Sequence, residues 1–329
     1  MRFAFCLSLL LIPAPAFAWG GTGHRMIGEL AAKNFPKEIP AFLKTAMAVK
    51  QIGLLAQEPD ISRNSGQPHD DDSDPGHFLD VSDDGSILGG PKLSALPATR
   101  KEYDTALRAA GSDQYKAGFL PYNIMDGYQQ LVKDFALLRA DRAGEKVART
   151  KAARKTFADA RVLRQAITLR DLGVWAHYVG DASQPMHASV HYDGWGDFPN
   201  PQGYRTEKGF HGTFESSFVD AHVTAADVAA KLQPYHACGC TIQQRTQDYL
   251  AATAALVVPT FELEKAGAFE AATPQAKDFT ATRIAEGAAM LRDLVTDAWS
   301  EAGQSVLGYK HKMTVADIEA GKADPSELD

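Results

Sequence analysis

Cysteine is nearly missing from this chain, three in 329 residues. One of them, Cys6, falls in an opening segment expected to be removed. A disulfide-stapled scaffold and an all-cysteine zinc fold are therefore both excluded. Alternating apolar–polar runs between turn signals are sparse, which speaks against a β-sandwich or barrel. After the opening segment no apolar stretch is long enough to cross a bilayer. Linker composition and internal repeats are absent too, so one large domain is expected. Positive charge is in deficit, 34 Lys and Arg against 41 Asp and Glu, for a formal net charge of −7. That balance argues against a broad basic surface for duplex DNA. It leaves single strands open, since a local concentration of positive charge suffices for them.

The chain opens on Arg2, an apolar run through Ile12 and Ala16-Phe17-Ala18. This is the pattern of a secretory signal over residues 1–18, cut between Ala18 and Trp19, and it predicts a secreted or periplasmic protein. Cleavage frees the α-amine of Trp19. Such an amine titrates near pH 8 and can lose its proton to a strong cation. His24 follows within Trp19-Gly20-Gly21-Thr22-Gly23-His24, where the glycines let amine, carbonyl and imidazole meet. Read alone, this is also an ordinary N-terminus followed by a turn.

Helical periodicity recurs at about residues 24–34, 99–111, 122–140, 154–181, 241–258 and 274–302, with Gly303 just past the last. The fold class is mostly α. The longest pattern, with Phe157, Val162, Ala166, Ile167, Leu169, Leu172 and Ala176, runs into His177 and Asp181. Those two are four apart, so a helix projects them from one face. Pro185 ends the helix and His187 can turn back toward them. His211 and Glu215 repeat the spacing, Asp60 and Arg63 lie on adjoining helical positions, and His77-Phe78-Leu79-Asp80 follows a polar loop. One such His–carboxylate pair is usually a surface pair; two, with a third His attached, favour a zinc-type cation. At three or four ligands per ion and one shared carboxylate, the inventory Trp19, His24, Asp60, His77, His177, Asp181, His187, His211 and Glu215 suits three metals.

The Trp-Gly-x-x-Gly-His start and the His-x-x-x-Asp-x-x-x-x-x-His block together resemble the S1/P1 nuclease family, which shares a helical single-domain fold with the bacterial zinc-dependent phospholipases C. The resemblance spans Trp19 to the final long helix and implies a catalytic domain over 19–310 with a tail over 311–329. It implies three Zn2+ in one cleft. Asp60, His77 and His177 would hold the first, with Asp181 bridging; His187, His211 and Glu215 the second; the Trp19 amine and carbonyl, His24 and Asp181 the third. Arg63 matches an arginine that contacts phosphate. Phe78 and Asp80 match residues that stack on and hydrogen-bond a nucleobase. Glu215 stands where the nucleases usually carry Asp and the phospholipases Glu, and the segment after His187 lacks the Gly-Gly-Asn run of the fungal nucleases.

The reading that follows is a secreted zinc-dependent phosphodiesterase that releases 5′-nucleotides from single-stranded DNA and RNA, with 3′-nucleotidase activity as a further implication. Asp60 would orient or deprotonate the attacking water and Arg63 would meet charge on the phosphate oxygens. Arg63 as a salt bridge to Asp60 or a loop acid is the structural alternative. No stable protein partner is implied. A phospholipase C acting on phosphatidylcholine-type lipids is the second enzyme reading, and a non-catalytic zinc-binding protein the third. The run Asp70-Asp71-Asp72-Ser73-Asp74 reads as a solvated loop, since consecutive carboxylates cannot all turn to one ion. Cys238-Gly239-Cys240, with His236 nearby, closes a small disulfide, stays reduced or joins a metal triplet.

Overall fold

The computed structural model describes residues 19–328, so the signal segment and its cleavage point lie outside the described residues. Helices dominate. Those of nine residues or more are α1 (Gly20–Lys33), α2 (Ala46–Leu55), α3 (Arg100–Ala109), α4 (Leu120–Val147), α5 (Lys151–Asp181), α6 (Ile242–Ala254), α7 (Val257–Lys265) and α8 (Pro274–Ala302). Among the described residues one two-stranded antiparallel sheet, β1 (Val306–Leu307) on β2 (Met313–Thr314), joins Val306 to Thr314 and Leu307 to Met313. No described helix is long and apolar enough to cross a membrane.

The helix starts carry their own sequence logic. Thr99 and Glu102 form a reciprocal capping box at α3. Thr150 accepts from the Ala153 N–H at the start of α5, and Thr273 with Pro274 opens α8. Helix α1 begins earlier than the periodicity suggests, at Gly20, whose φ of 47° suits a residue without Cβ. Tertiary anchoring explains this: the Trp19 indole donates to the Gly180 carbonyl (3.0 Å) and to Ser183 Oγ (2.8 Å). Gly303 keeps right-handed backbone rather than a left-handed cap; a Cβ there would meet Arg139.

Helices α4 and α5 form a long antiparallel hairpin. Its close approach is set by two glycine contacts, Gly144 under Phe157 and Gly127 under Trp175, whose Nε1 donates to the Ile124 carbonyl (3.0 Å). Helices α1, α2 and α8 pack against the hairpin around one continuous apolar core. The chain after β1 returns to α4, where Met313 and Ile318 bury against Ala140 and Ala143. The first half of α5 departs from its apolar pattern: Val162 and Leu163 are exposed.

Candidate metal centre

Helix α5 ends at the site. Its last turns carry His177 and Asp181, both fully buried. Helix α6 fixes that end, with Tyr249 donating to the Val179 carbonyl (2.9 Å) and Thr253 to the Ala182 carbonyl (2.7 Å). Pro185 opens a short turn, Pro185–Ala188, that carries His187. This turn and the His77 segment clasp each other: Leu79 N–H donates to the His187 carbonyl (2.8 Å) and His187 Nδ1 donates to the His77 carbonyl (2.6 Å). Asp60 comes from the short helix Glu58–Ile61. His211 and Glu215 come from Phe210–Gly212 running into a π-helix, Thr213–Phe218. Wide turns of this kind often sit at functional sites.

These pieces bring eight predicted ligands together in three groups whose ligand atoms lie within 4.8 Å of one another: His24, His177 and Asp181; Asp60, His77 and His177; His187, His211 and Glu215. Asp181 faces two ways, Oδ1 toward His24 Nε2 (3.3 Å) and Oδ2 toward His77 Nδ1 (3.2 Å) and His177 Nε2 (3.3 Å). Asp60 Oδ1 stands 3.8 Å from both His77 Nδ1 and His177 Nε2. In the third group His211 Nε2 is 2.7 Å and His187 Nε2 3.5 Å from Glu215 Oε2. Trp19, the ninth predicted ligand, is buried beside Gly180 and Ser183, and its carbonyl accepts from Gly23 N–H (3.0 Å).

The donor chemistry fits cations. His177, His187 and His211 each spend Nδ1–H on a backbone carbonyl, of Ala56 (2.9 Å), His77 (2.6 Å) and Tyr192 (2.7 Å) respectively. In the neutral ring this leaves an Nε2 lone pair aimed inward, the usual device for orienting a metal-ligating imidazole. Those nitrogens then face others of their kind: His177 Nε2 lies 2.8 Å from His77 Nδ1, and His187 Nε2 3.1 Å from His211 Nε2. Both His24 nitrogens, both oxygens of Asp60 and of Asp181, and Glu215 Oε1 are buried without a hydrogen-bond donor or acceptor partner. Buried acceptors that crowd together without donors call for a positive charge between them.

The field has the matching sign. Burial works against ionised Asp181, yet His177 and His187 outweigh it and hold the carboxyl well below its ordinary range. Glu215 is held low by His211 and His187 against the same burial. Burial opposes the His187 cation, but Asp181 and Glu215 prevail and push its pKa up to about 9. His24 and His77 go the other way, lowered chiefly by burial.

Beside the cluster lies a cleft of about 350 Å³ lined by Arg63, Phe78, Asp80, Lys116, Tyr192 and the inner face of His77, His187 and His211. Arg63 is ion-paired with Asp60 (3.7 Å) and Asp74 (3.3 Å), as its structural alternative expected, and it also lines the cleft. Burial pushes the half-buried Asp80 carboxyl up to about 7. Sequence reasoning missed four contributors. Gln184, fully buried, donates to Glu215 Oε2 (3.0 Å). Asp193 accepts from the Gly209 and His211 N–H groups. Lys116 and Tyr192 line the cleft. A lone amide or lysine leaves no spacing signal, although Gln184 sits within the quoted His–Asp–His block.

Other candidates resolve differently. Cys238 and Cys240 are bonded to each other. His191 is buried, stacked on Trp195 (3.8 Å) and paired with Asp83 (2.8 Å), apart from the cluster. In the acidic run Asp71 and Asp72 are exposed, while Asp74 turns to Arg63.

No protein-family model matches the chain, and no curated protein matches it. Among solved structures it is similar to the alpha toxin of Clostridium absonum, at 15% identity and a TM-score of 0.40, covering 85% of this chain and 65% of that one. It is also similar to the alpha-toxin of Clostridium perfringens from an avian strain, at 14% identity and a TM-score of 0.35, covering 90% and 69%. The chain spans only part of either protein, and neither likeness carries a statement of activity.

Proposed function

We propose that this protein is a zinc-dependent phosphodiesterase that hydrolyses single-stranded DNA and RNA to 5′-nucleotides. The observation carrying the reading is the buried His and carboxylate cluster, several of its atoms undonated, whose members His77, His187 and His211 line a cleft that also holds Arg63, Lys116 and Phe78. Three Zn2+ would be held by Asp60, His77 and His177; by His187, His211 and Glu215; and by the Trp19 amine and carbonyl with His24 and Asp181, which is shared with the first. When bound, such ions supply Lewis acidity toward phosphate oxygens and lower the pKa of water.

The chain's own residues do the rest. Both Asp60 oxygens are buried and undonated, and Oδ1 stands 3.8 Å from His77 and His177, so this carboxylate would orient the attacking water and accept its proton. Asp74 holds the Arg63 guanidinium at the cleft, where two N–H groups can meet two non-bridging oxygens as charge grows. Phe78 offers a stacking face, worth roughly 1–3 kcal/mol per base, and stacking tolerates every base. Duplexes hide those faces, which favours single strands. Lys116 at the same cleft suits the next phosphate.

One observation favours a second reading. An aromatic beside a carboxylate, Phe78 with Asp80, also suits a quaternary ammonium, as a phosphatidylcholine substrate requires. Lys116 opposes that cation. The test uses zinc-loaded protein starting at Trp19, with single-stranded DNA, RNA and phosphatidylcholine side by side and Asp60→Asn as control. Nucleotide release reduced at least 100-fold in the control is expected. Phosphocholine release alone would move the protein to the lipid substrate, and no turnover with zinc bound would leave a binding role.

A further inference from the structure

The charge of −7 conceals a strongly uneven distribution. From Arg139 to Arg164, the closed end of the α4–α5 hairpin, nine Lys or Arg stand against three Asp or Glu, a local charge of +6. The remainder of the chain then carries 25 Lys or Arg and 38 Asp or Glu, a charge of −13. A solvated, self-neutralised face is the ordinary explanation of such a run. Here it covers only part of the set. Arg139, Lys155, Arg161 and Arg164 are ion-paired, with Glu319, Asp159, Glu145 and Asp134. Arg142, Lys146, Arg149, Lys151 and Arg154 are exposed and make no ion pair among the described residues.

The cations also share a shaped surface. A cleft of about 720 Å³ lies between the hairpin and the segment Pro40–Phe42, lined by Arg142, Lys146, Arg154 and Arg161 against Glu145 as its one acid. A cleft of about 530 Å³ that starts at Lys44 adds Lys50, Arg25 and Lys33, the last paired with the one acid of this lining, Glu29 (2.8 Å); Arg25 is adjacent in sequence to His24 of the metal cluster. The basic surface therefore extends from the hairpin end, across α2, to α1. Along α5 the helix rise puts Arg154 roughly 35 Å from His177, the reach of about ten stacked nucleotides.

We propose that the hairpin end is a second, non-catalytic site for a polyanion, which holds the distal part of a single-stranded polynucleotide while its scissile phosphate occupies the metal cleft. The identity of the polymer rests on the nuclease reading given above. Clefts lined by cations suit a chain of phosphates, which releases counterions on binding. An anionic membrane is the competing occupant, because Val147, Val162 and Leu163 are exposed on the same hairpin.

The experiment measures fluorescence anisotropy of a labelled 30-nucleotide oligothymidylate and a trinucleotide against zinc-loaded mature protein, carrying Asp60→Asn to prevent cleavage. In this background Arg142→Ser, Lys146→Ser and Arg154→Ser are combined. The expected result is about tenfold weaker binding of the 30-mer, a log–log salt slope lower by about 2, and an unchanged trinucleotide affinity. Replacing Arg142 and Arg154 by Lys should preserve 30-mer affinity; if it weakens binding as much as the neutral set, charge is not the cause and the proposal falls. It also falls if the serine set leaves the 30-mer untouched, or abolishes only binding to phosphatidylglycerol vesicles. Binding through these cations without nucleotide release by the unmodified enzyme would leave this site standing and sink the nuclease reading. Nucleotide release unaffected by the serine set, at every strand length, would do the reverse.

Discussion

Two carboxylates in the site are set for opposite work by their surroundings. Asp181 is held ionised by the imidazoles around it, whereas burial pushes Asp80 up to about 7. A carboxyl with that pKa donates a proton to a base below neutrality and accepts from base N–H groups above it. On the proposed nuclease reading, affinity for guanine, which presents N–H donors, is expected to improve as pH rises through 7, and Asp80→Asn should remove the inflection from the KM profile; a wild-type KM flat from pH 6 to 8 would contradict the role. The stability linkage has a definite sign. A raised carboxyl pKa contributes stability that is complete below about 4 and is lost as pH rises through about 7. Asp181→Asn tests the bridging carboxylate. Its two oxygens serve two groups, so zinc measured by plasma emission should fall from the proposed three per chain to about one. The metal-free variant should also be less stable by about 3–5 kcal/mol, because buried His177 loses the nearer of its two counter-charges and keeps only Asp60 at 3.8 Å. At this scale the sequence was informative where helical spacing ties two ligands together, as in His177 with Asp181. It allowed Arg63 a loop acid without choosing Asp74, and it was silent on Gln184 beside Glu215, where contacts arise from irregular backbone.

The elements act as rigid carriers of ligands, and two predictions concern how they are delivered. Helix α1 starts at Gly20 and brings His24 to Asp181, so the group preceding Gly20 is held near the cluster by the indole anchor of Trp19. Protein retaining Ala18 should bind two zinc ions instead of three, since the amine has become an amide; three ions and full activity in that variant would refute the amine as a ligand. In the hairpin, a Cβ on Gly127 would stand 2.0 Å from Trp175 Cδ1. Gly127→Ala should cost about 1–3 kcal/mol by overpacking, read as a lower Tm, and lower zinc affinity too, because Trp175 lies two residues before His177. The long helices were legible in the sequence because apolar residues recur along them; the caps at Thr99 and Thr273 were a further signal that the reading by periodicity did not use. Helix α2 escaped because it is short, apolar and lacks a strong periodic contrast. The break between α6 and α7 escaped because periodicity continues through Ala255 and Leu256. Exposure of Val162 and Leu163 was equally invisible, since a pattern gives the face of a helix but not whether anything packs on it.

For the molecule as a whole, the site is a concentration of buried charge that the fold must tolerate with or without metal. Without metal, protons on imidazoles supply the missing positive charge: His187, held up to about 9 by Asp181 and Glu215 against burial, stays protonated through neutrality. A histidine with a raised folded pKa contributes stability that is complete below its unfolded value of about 6.5 and disappears as pH rises through about 9. Metal-free protein should therefore lose stability from pH 6.5 to 9. Metal-loaded protein has no such loss, because cations have displaced those protons and binding strengthens as competition from H+ falls. The gap in Tm between zinc-loaded and chelator-treated protein should widen steadily from pH 6.5 to 9 and narrow toward pH 5, measured calorimetrically in one buffer series. In His187→Gln the metal-free curve should flatten over the same window. A gap independent of pH would mean that protons and metal do not compete for these nitrogens, and the cluster would then owe its cohesion to packing around Asp181 and not to charge within it.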